Sequence, residues 1–236
     1  MRKLLIALVF APMLAWASGA ALHLDKAPDR ANDTAALQHG AKVFVNYCLN
    51  CHSASYMRYN RLKDIGLSEA QIKDNLLFTA EKVGEPMRIA MQRAEAKQWF
   101  GAAPPDLTVI ARARASEFGS GADWLYTYLR SFYRDESRPT GWNNVVFANV
   151  GMPHVLWELQ GDQILGEDHK LKLVKPGKLS AKEYDVIVAD LVAYLKHMGE
   201  PMAEYRKRLG VVVLIFLAVF FVFAYALKRE YWKDIH

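Results

Sequence analysis

The sequence predicts a mainly α-helical domain, loop-rich in its middle and tied to a membrane by one C-terminal helix. Three observations predict it. Side chains recur at helical spacing near both ends of the central region, at Gly40, Phe44 and Cys48 and again at Ile187, Leu191 and Leu195. Between them Pro104-Pro105, Gly119 to Gly121 and Pro139-Thr140-Gly141 interrupt the chain as turns, which argues against a sheet core. Finally, Leu209 to Leu227 is uncharged and apolar on every face.

Taken in order, Arg2 and Lys3 followed by the apolar run Leu4 to Ala17, with small Ala15 and Ala17, read as a secretory signal peptide over residues 1–17. As a helix that run would be about 21 Å long, too short for a hydrocarbon core of about 30 Å. Residues 18–205 then form one domain of roughly 185 residues, enough to bury a sizeable core.

The first helix of that domain should start near Thr34 and run into Cys48-Leu49-Asn50-Cys51-His52. Cys-x-x-Cys-His is the attachment pattern of a c-type haem. On one helical face Cys48 and Cys51 can reach the two vinyl groups of a porphyrin edge as thioethers, and His52 lies within reach of the iron. A redox Cys-x-x-Cys and half a zinc site are the competing readings. Neither requires the adjacent histidine, and the chain has only two cysteines, so no second pair completes a zinc site.

Short helices are expected at Ser68 to Phe78, Pro86 to Gln98 and Asp123 to Tyr133, and a short exposed ribbon at Leu171 to Leu179. A longer helix, Ala181 to Met198, places Ile187, Leu191, Leu195 and Met198 on one stripe and stops at Gly199 and Pro201. Gly40 should let it cross closely over the first helix. The pairing resembles the class I cytochrome c fold, here with loop-rich insertions. After it, residues 209–227 give about 28 Å of helix, enough to span a bilayer. Three basic residues flank the span on each side, so the positive-inside rule does not orient it. The signal peptide does: it places the haem domain in the periplasm and residues 228–236 in a cytoplasmic tail at the inner membrane, with Tyr225, Tyr231 and Trp232 as interfacial aromatics.

The formal charge of +5 belongs to the targeting and membrane flanks. Between Ser18 and Tyr205 there are 22 basic and 23 acidic side chains, a net of −1, and no nucleic-acid motif accompanies them. Asp135-Glu136 and Glu167-Asp168 are either docking acids for a basic electron carrier or ordinary solvated surface.

The chemistry turns on the sixth iron ligand. Met57 is too close to the attachment site, Met198 and Met202 sit on or beside the last helix, and Met87 and Met91 fall on an expected helix. Met152, between Gly151 and Pro153, is favoured because a fixed loop could present its thioether, with His154 as the alternative. A filled sixth position implies electron transfer rather than catalysis at the metal.

Several segments, in order, resemble the cytochrome c1 family: Val43 to Leu62 around the haem motif, Gly101-Ala102-Ala103-Pro104-Pro105-Asp106-Leu107 with Ala111-Arg112-Ala113-Arg114, the Gly151-Met152-Pro153 loop, and Asp190 to Leu195 leading through Glu200-Pro201 to the tail anchor. The resemblance implies the haem c subunit of a quinol to cytochrome c reductase, the cytochrome bc1 complex, and one covalent haem c. It implies cytochrome b and a Rieske iron-sulfur subunit as partners, a soluble cytochrome c as acceptor, and a dimeric complex. It further implies Cys48 and Cys51 as the thioether pair, His52 and Met152 as axial ligands, Arg114 as partner of a haem propionate, and Arg112 turned to solvent. Pro104 or Pro105 would pack near His52, whose Nδ1 could donate to a backbone carbonyl there. Trp124 and Tyr126 are candidates for the haem wall or plain core. Some bacterial members brace the loop before the distal methionine with a disulfide, for which this chain has no cysteines. On this reading the chain is no enzyme by itself. The alternatives are a free-standing membrane-anchored cytochrome c donating to a terminal oxidase and a haem enzyme or gas sensor with an open iron position.

Overall fold

A computed structural model describes residues 22–234; the signal peptide expected at 1–17 and the last two residues of the tail lie outside the described residues. The two long helices before the apolar run form where expected. Helix α1, Thr34–Val43, starts at Asp33, whose side chain accepts a hydrogen bond from the Ala36 amide. It does not stay α-helical into the cysteine motif. Phe44–Cys48 widens into a π-helical turn, and residues 49–51 follow as a turn.

Five further α-helices lead to the second long one. The first four are α2 (Glu69–Asn75), α3 (Arg93–Phe100), α4 (Ile110–Ala113) and α5 (Gly121–Arg130). A fifth, α6, is the single turn Trp157–Gln160, and α7 spans Ala181–Gly199. Ser180 and Glu183 form a capping box at the start of α7, satisfying two amides reciprocally. Helix α7 crosses α1 at Gly40, where an added Cβ would collide with the Asp190 carbonyl and stand 2.8 Å from Cβ of Tyr194. One turn on, the Phe44 and Tyr194 rings pack with centroids 5.7 Å apart. Asp190, buried on α7, accepts from Arg30 and lies 2.7 Å from His39 Nδ1, tying the N-terminal segment to the crossing.

Helix α5 completes the frame against α7. The buried Tyr184 hydroxyl donates to the Leu129 carbonyl at 2.8 Å. Gly121 is the first residue of α5 rather than part of a turn, since Ser120 caps the helix there, and a Cβ on it would collide with the Ala111 carbonyl. Asp123 caps the same end and also accepts from the Ala27 amide at 2.8 Å. Burial alone would raise the Asp123 pKa, but hydrogen bonds from Ser120 and Ala27 outweigh it and hold the carboxyl below its ordinary range. A depressed folded-state pKa adds stability above the unfolded value of about 4 and loses it as pH falls through the folded value. Asp123→Ala is therefore expected to lower stability by about 1 kcal/mol at neutral pH and to flatten the acid limb of the unfolding curve, measured by thermal unfolding across pH.

Strands are confined to three antiparallel pairs among the described residues: β1 (Ala54–Arg58) with β2 (Pro86–Met87), β3 (Phe132–Arg134) with β4 (Trp142–Asn144), and β5 (Gly161–Leu165) with β6 (Leu171–Pro176). The last is the ribbon expected near Leu171 to Leu179, with Leu173 and Val174 exposed. The helix expected over Pro86 to Gln98 does not form in its first half. Met87 is fully buried and pairs with Ala54, so core packing takes that segment as a strand and helix begins only at Arg93. Likewise α5 ends at Arg130, because Phe132–Arg134 is drawn into β3. Helix α8, Ala203–Tyr231, contains the apolar run, buries none of its residues, and at 29 residues reaches about 43 Å.

Candidate functional site

One apolar cavity of about 290 Å³ gathers most of the residues singled out in the sequence. Cys48, Cys51 and His52 line it from the end of the π turn and the turn after it, Pro104 and Pro105 from the loop after α3, and Gly151, Met152 and Pro153 from the loop after β4. Leu125 and Leu129 of α5 and Leu191 and Leu195 of α7 supply apolar wall. The cavity therefore depends on the α1 to α7 crossing that Gly40 permits.

The imidazole is oriented by the backbone. His52 Nδ1 donates to the Pro105 carbonyl at 2.8 Å, which leaves Nε2 as the nitrogen free to act as a ligand. Burial pushes the His52 pKa down, partly opposed by the Pro105 bond and by Asp106, so the ring is neutral at neutral pH. Asp106 was not singled out in the sequence, yet it fixes the carbonyl that fixes the ring. Its carboxylate accepts from the Ser55 and Thr108 amides, both at 2.8 Å, while the Leu107 amide donates to Ser53. The signal available was Asp followed two residues later by Thr, a local turn pattern. Cys48 and Cys51 are not joined to each other, and burial pushes the Cys48 thiol up to about 12.

Met152 is half-buried at the cavity, and its sulfur accepts a hydrogen bond from the Tyr128 hydroxyl at 3.4 Å. Tyr128 stacks on Trp124, centroids 4.7 Å apart, one helical turn along the same face of α5. Trp124 lines the cavity, but Tyr126 does not. It packs beneath the Arg130 guanidinium instead, and Tyr128, four residues after Trp124, takes the wall position. The spacing i, i+4 could have found it. Arg114 also lines the cavity, its guanidinium 4.5 Å from the Trp124 ring centroid and 5.6 Å from that of Phe147, with no carboxylate partner among the described residues. Arg112 points outward to Glu200 at 3.7 Å.

The other candidate ligands are placed elsewhere. His154 does not line the cavity. Its ring is buried between Phe132, stacked at 4.8 Å, and the edge of Trp142, and burial pushes its pKa down to about 4. Met57, Met87 and Met198 are core residues, and Met91 lies before α3 rather than on a helix.

Two thiols, a neutral imidazole with one nitrogen held, a thioether and an unpaired guanidinium around an apolar cavity fit the donor set of a covalently bound haem c. Phe100 and Phe147, which also line the cavity, are 49% and 46% exposed, so one edge of the site reaches the surface.

Comparison with known proteins agrees with this chemistry. The model of the Cytochrome C1 family matches residues 25–235. Cytochrome c1 of Allochromatium vinosum is 48% identical, covering the whole of both chains. Cytochrome c1 of Rhodospirillum rubrum is 29% identical over 86% of this chain and 83% of its own. A protein of Nitrosomonas europaea named ammonia monooxygenase gamma subunit is 53% identical over 99% of this chain and 97% of its own.

Proposed function

Because the chain belongs to the cytochrome c1 family, and is thus the membrane-anchored electron-transfer subunit of a bc1 complex carrying one haem c, we propose that it takes one electron from the Rieske iron-sulfur subunit and passes it to a soluble cytochrome c. The observation that carries this reading is the convergence of both cysteines, His52 and Met152 on one apolar cavity with an exposed edge. Cys48 and Cys51 would hold the porphyrin edge as thioethers, His52 Nε2 and the Met152 sulfur would ligate the iron, and Arg114 would pair with a propionate. Haem c, when bound, supplies a one-electron iron couple whose potential His/Met ligation raises. The residues do the rest. The Pro105 carbonyl holds the His52 proton and its orientation, the leucines of α5 and α7 exclude water, and with both His52 and Met152 holding the iron a substrate would find no open position on it. We therefore assign no catalytic step to this chain alone.

Topology follows the same reading. Residues 1–17 would be the signal peptide and 18–205 the periplasmic haem domain, with 209–227 spanning the inner membrane and 228–236 in the cytoplasm. Together with cytochrome b and the Rieske subunit, the chain would sit in a dimeric complex.

Arg114 gives a prediction specific to the site. Reduction adds an electron, and a cation beside the haem favours the reduced form, so Arg114→Gln is expected to lower the midpoint potential, read by redox titration. An unchanged midpoint would remove Arg114 from the site. The electron source is tested in membranes lacking the iron-sulfur subunit, where added quinol should no longer reduce haem c; undiminished reduction would contradict the Rieske donor. The identity with the Nitrosomonas europaea protein favours one second reading, a haem c subunit attached to a monooxygenase, in which case quinol oxidation would not drive the haem.

A further inference from the structure

The segment that carries Met152 has no covalent brace, since both cysteines of the chain lie in the haem motif. Val145 to Pro153 leaves β4 and returns without regular structure. A long loop of this kind would let a distal ligand drift unless something fixes its later half.

Asn143, on β4 and 7% exposed, supplies that fixation. Its Oδ1 accepts from the Asn149 amide at 2.8 Å, and its Nδ2 donates to Asp135 at 2.8 Å. Asn149 stands three residues before Met152 in the left-handed region, with φ of 61°, a conformation that needs local support in a non-glycine residue. Arg138 grips Asn149 from its other side, donating to the side-chain oxygen at 3.2 Å and to the carbonyl at 3.0 Å. Asp135 is fixed in turn by the Ser137 amide and hydroxyl and by its own amide donating to the Gly141 carbonyl. The next residue, Val150, is 4% exposed, so the clamp also seats an apolar anchor. Asn144 works differently. It is 1% exposed and ties the first half of the loop to α5 by donating to the Tyr128 carbonyl at 2.8 Å.

We propose that Asn143, with Asp135 and Arg138, is a positioning residue that holds the Met152 loop on the haem iron through a hydrogen-bonded clamp on Asn149. The proposal rests on Met152 being the distal ligand. It needs no step of its own: the clamp shifts the balance between ligand-on and ligand-off states of the loop.

The test uses the full haem-loaded chain. Asn143→Asp keeps the acceptor for Asn149 but sets a carboxylate against Asp135, so the clamp should open. The ferric near-infrared methionine-to-iron band should then weaken and affinity for added imidazole should rise about tenfold, the scale of losing one buried hydrogen-bonded contact. Asp135→Asn combined with Asn143→Asp restores a donor and acceptor in exchanged order, and should return both readouts to wild-type values. A general loss of packing would not be rescued this way. If the single variant keeps the band and the imidazole affinity, or the double variant is no better than the single, the proposal is overturned. Should Asn143→Asp yield no haem-loaded protein, Arg138→Gln opens the clamp from its more accessible side and must show the same two changes. A wild-type protein without the band would instead overturn Met152 as ligand, and the clamp's role with it.

Discussion

Met152→Leu is expected to leave the haem covalently attached while removing the ferric near-infrared band and lowering the midpoint potential. Attachment should survive because Cys48 and Cys51 reach the cavity from a different segment from the Met152 loop. The band should vanish because leucine keeps the volume but offers no lone pair. The potential should fall on the order of 0.2 V, within the span of about 0.8 V that axial ligands set. Carbon monoxide should then bind the reduced protein, since Leu leaves the position open. His154 is badly placed to substitute, buried between Phe132 and Trp142 and absent from the cavity wall. Persistence of the band would show that another residue holds the iron.

The largest effect on stability is expected at Gly40. A side chain there meets the Asp190 carbonyl and Tyr194 Cβ across the α1 to α7 crossing, and both are fixed by Phe44, Arg30 and His39. Gly40→Val cannot be relieved by moving a flexible side chain, so the helices must part, at a cost of about 4 kcal/mol or more, in the range that unfolds a marginal domain. The haem cavity should be lost with the crossing, read as a fall in haem-loaded yield and in thermal midpoint. Gly84→Val is the control: a Cβ there meets nothing within 4 Å, and the change should stay within about 0.5 kcal/mol. Equal effects of the two would mean that the crossing is not the frame of the site.

The parts of the fold legible in the sequence were those with strong local signals. The helix starts expected at Thr34 and Ala181 are met, with Asp33 and Ser180 capping them, Gly199 and Pro201 end α7, and Gly40 sits on the apolar stripe where the helices cross. The middle was less legible because long-range packing overrides local preference. Pro86-Met87 is a strand since Met87 fills the core against Tyr194, whose hydroxyl reaches its sulfur at 3.9 Å, and no local pattern announces that. The cavity-lining residues named in advance were those with distinctive chemistry: two cysteines, a histidine, a methionine between Gly and Pro, and an arginine. Side chains that act on those residues, Asp106 behind Pro105 and Asn143 behind Asn149, were missed. Asparagine and aspartate are common in loops, and only the folded chain shows which of them are buried and on what they bond.

The most direct measurement of this role is affinity purification of the tagged chain from its own membranes in mild detergent, with reduced-minus-oxidised spectra and subunit identification on one sample. Work within a bc1 complex requires b-type haem and an iron-sulfur subunit in fixed proportion to haem c, together with quinol-dependent reduction of cytochrome c. A haem c spectrum with no b-type partner, or recovery of the chain with monooxygenase subunits in their place, would contradict it.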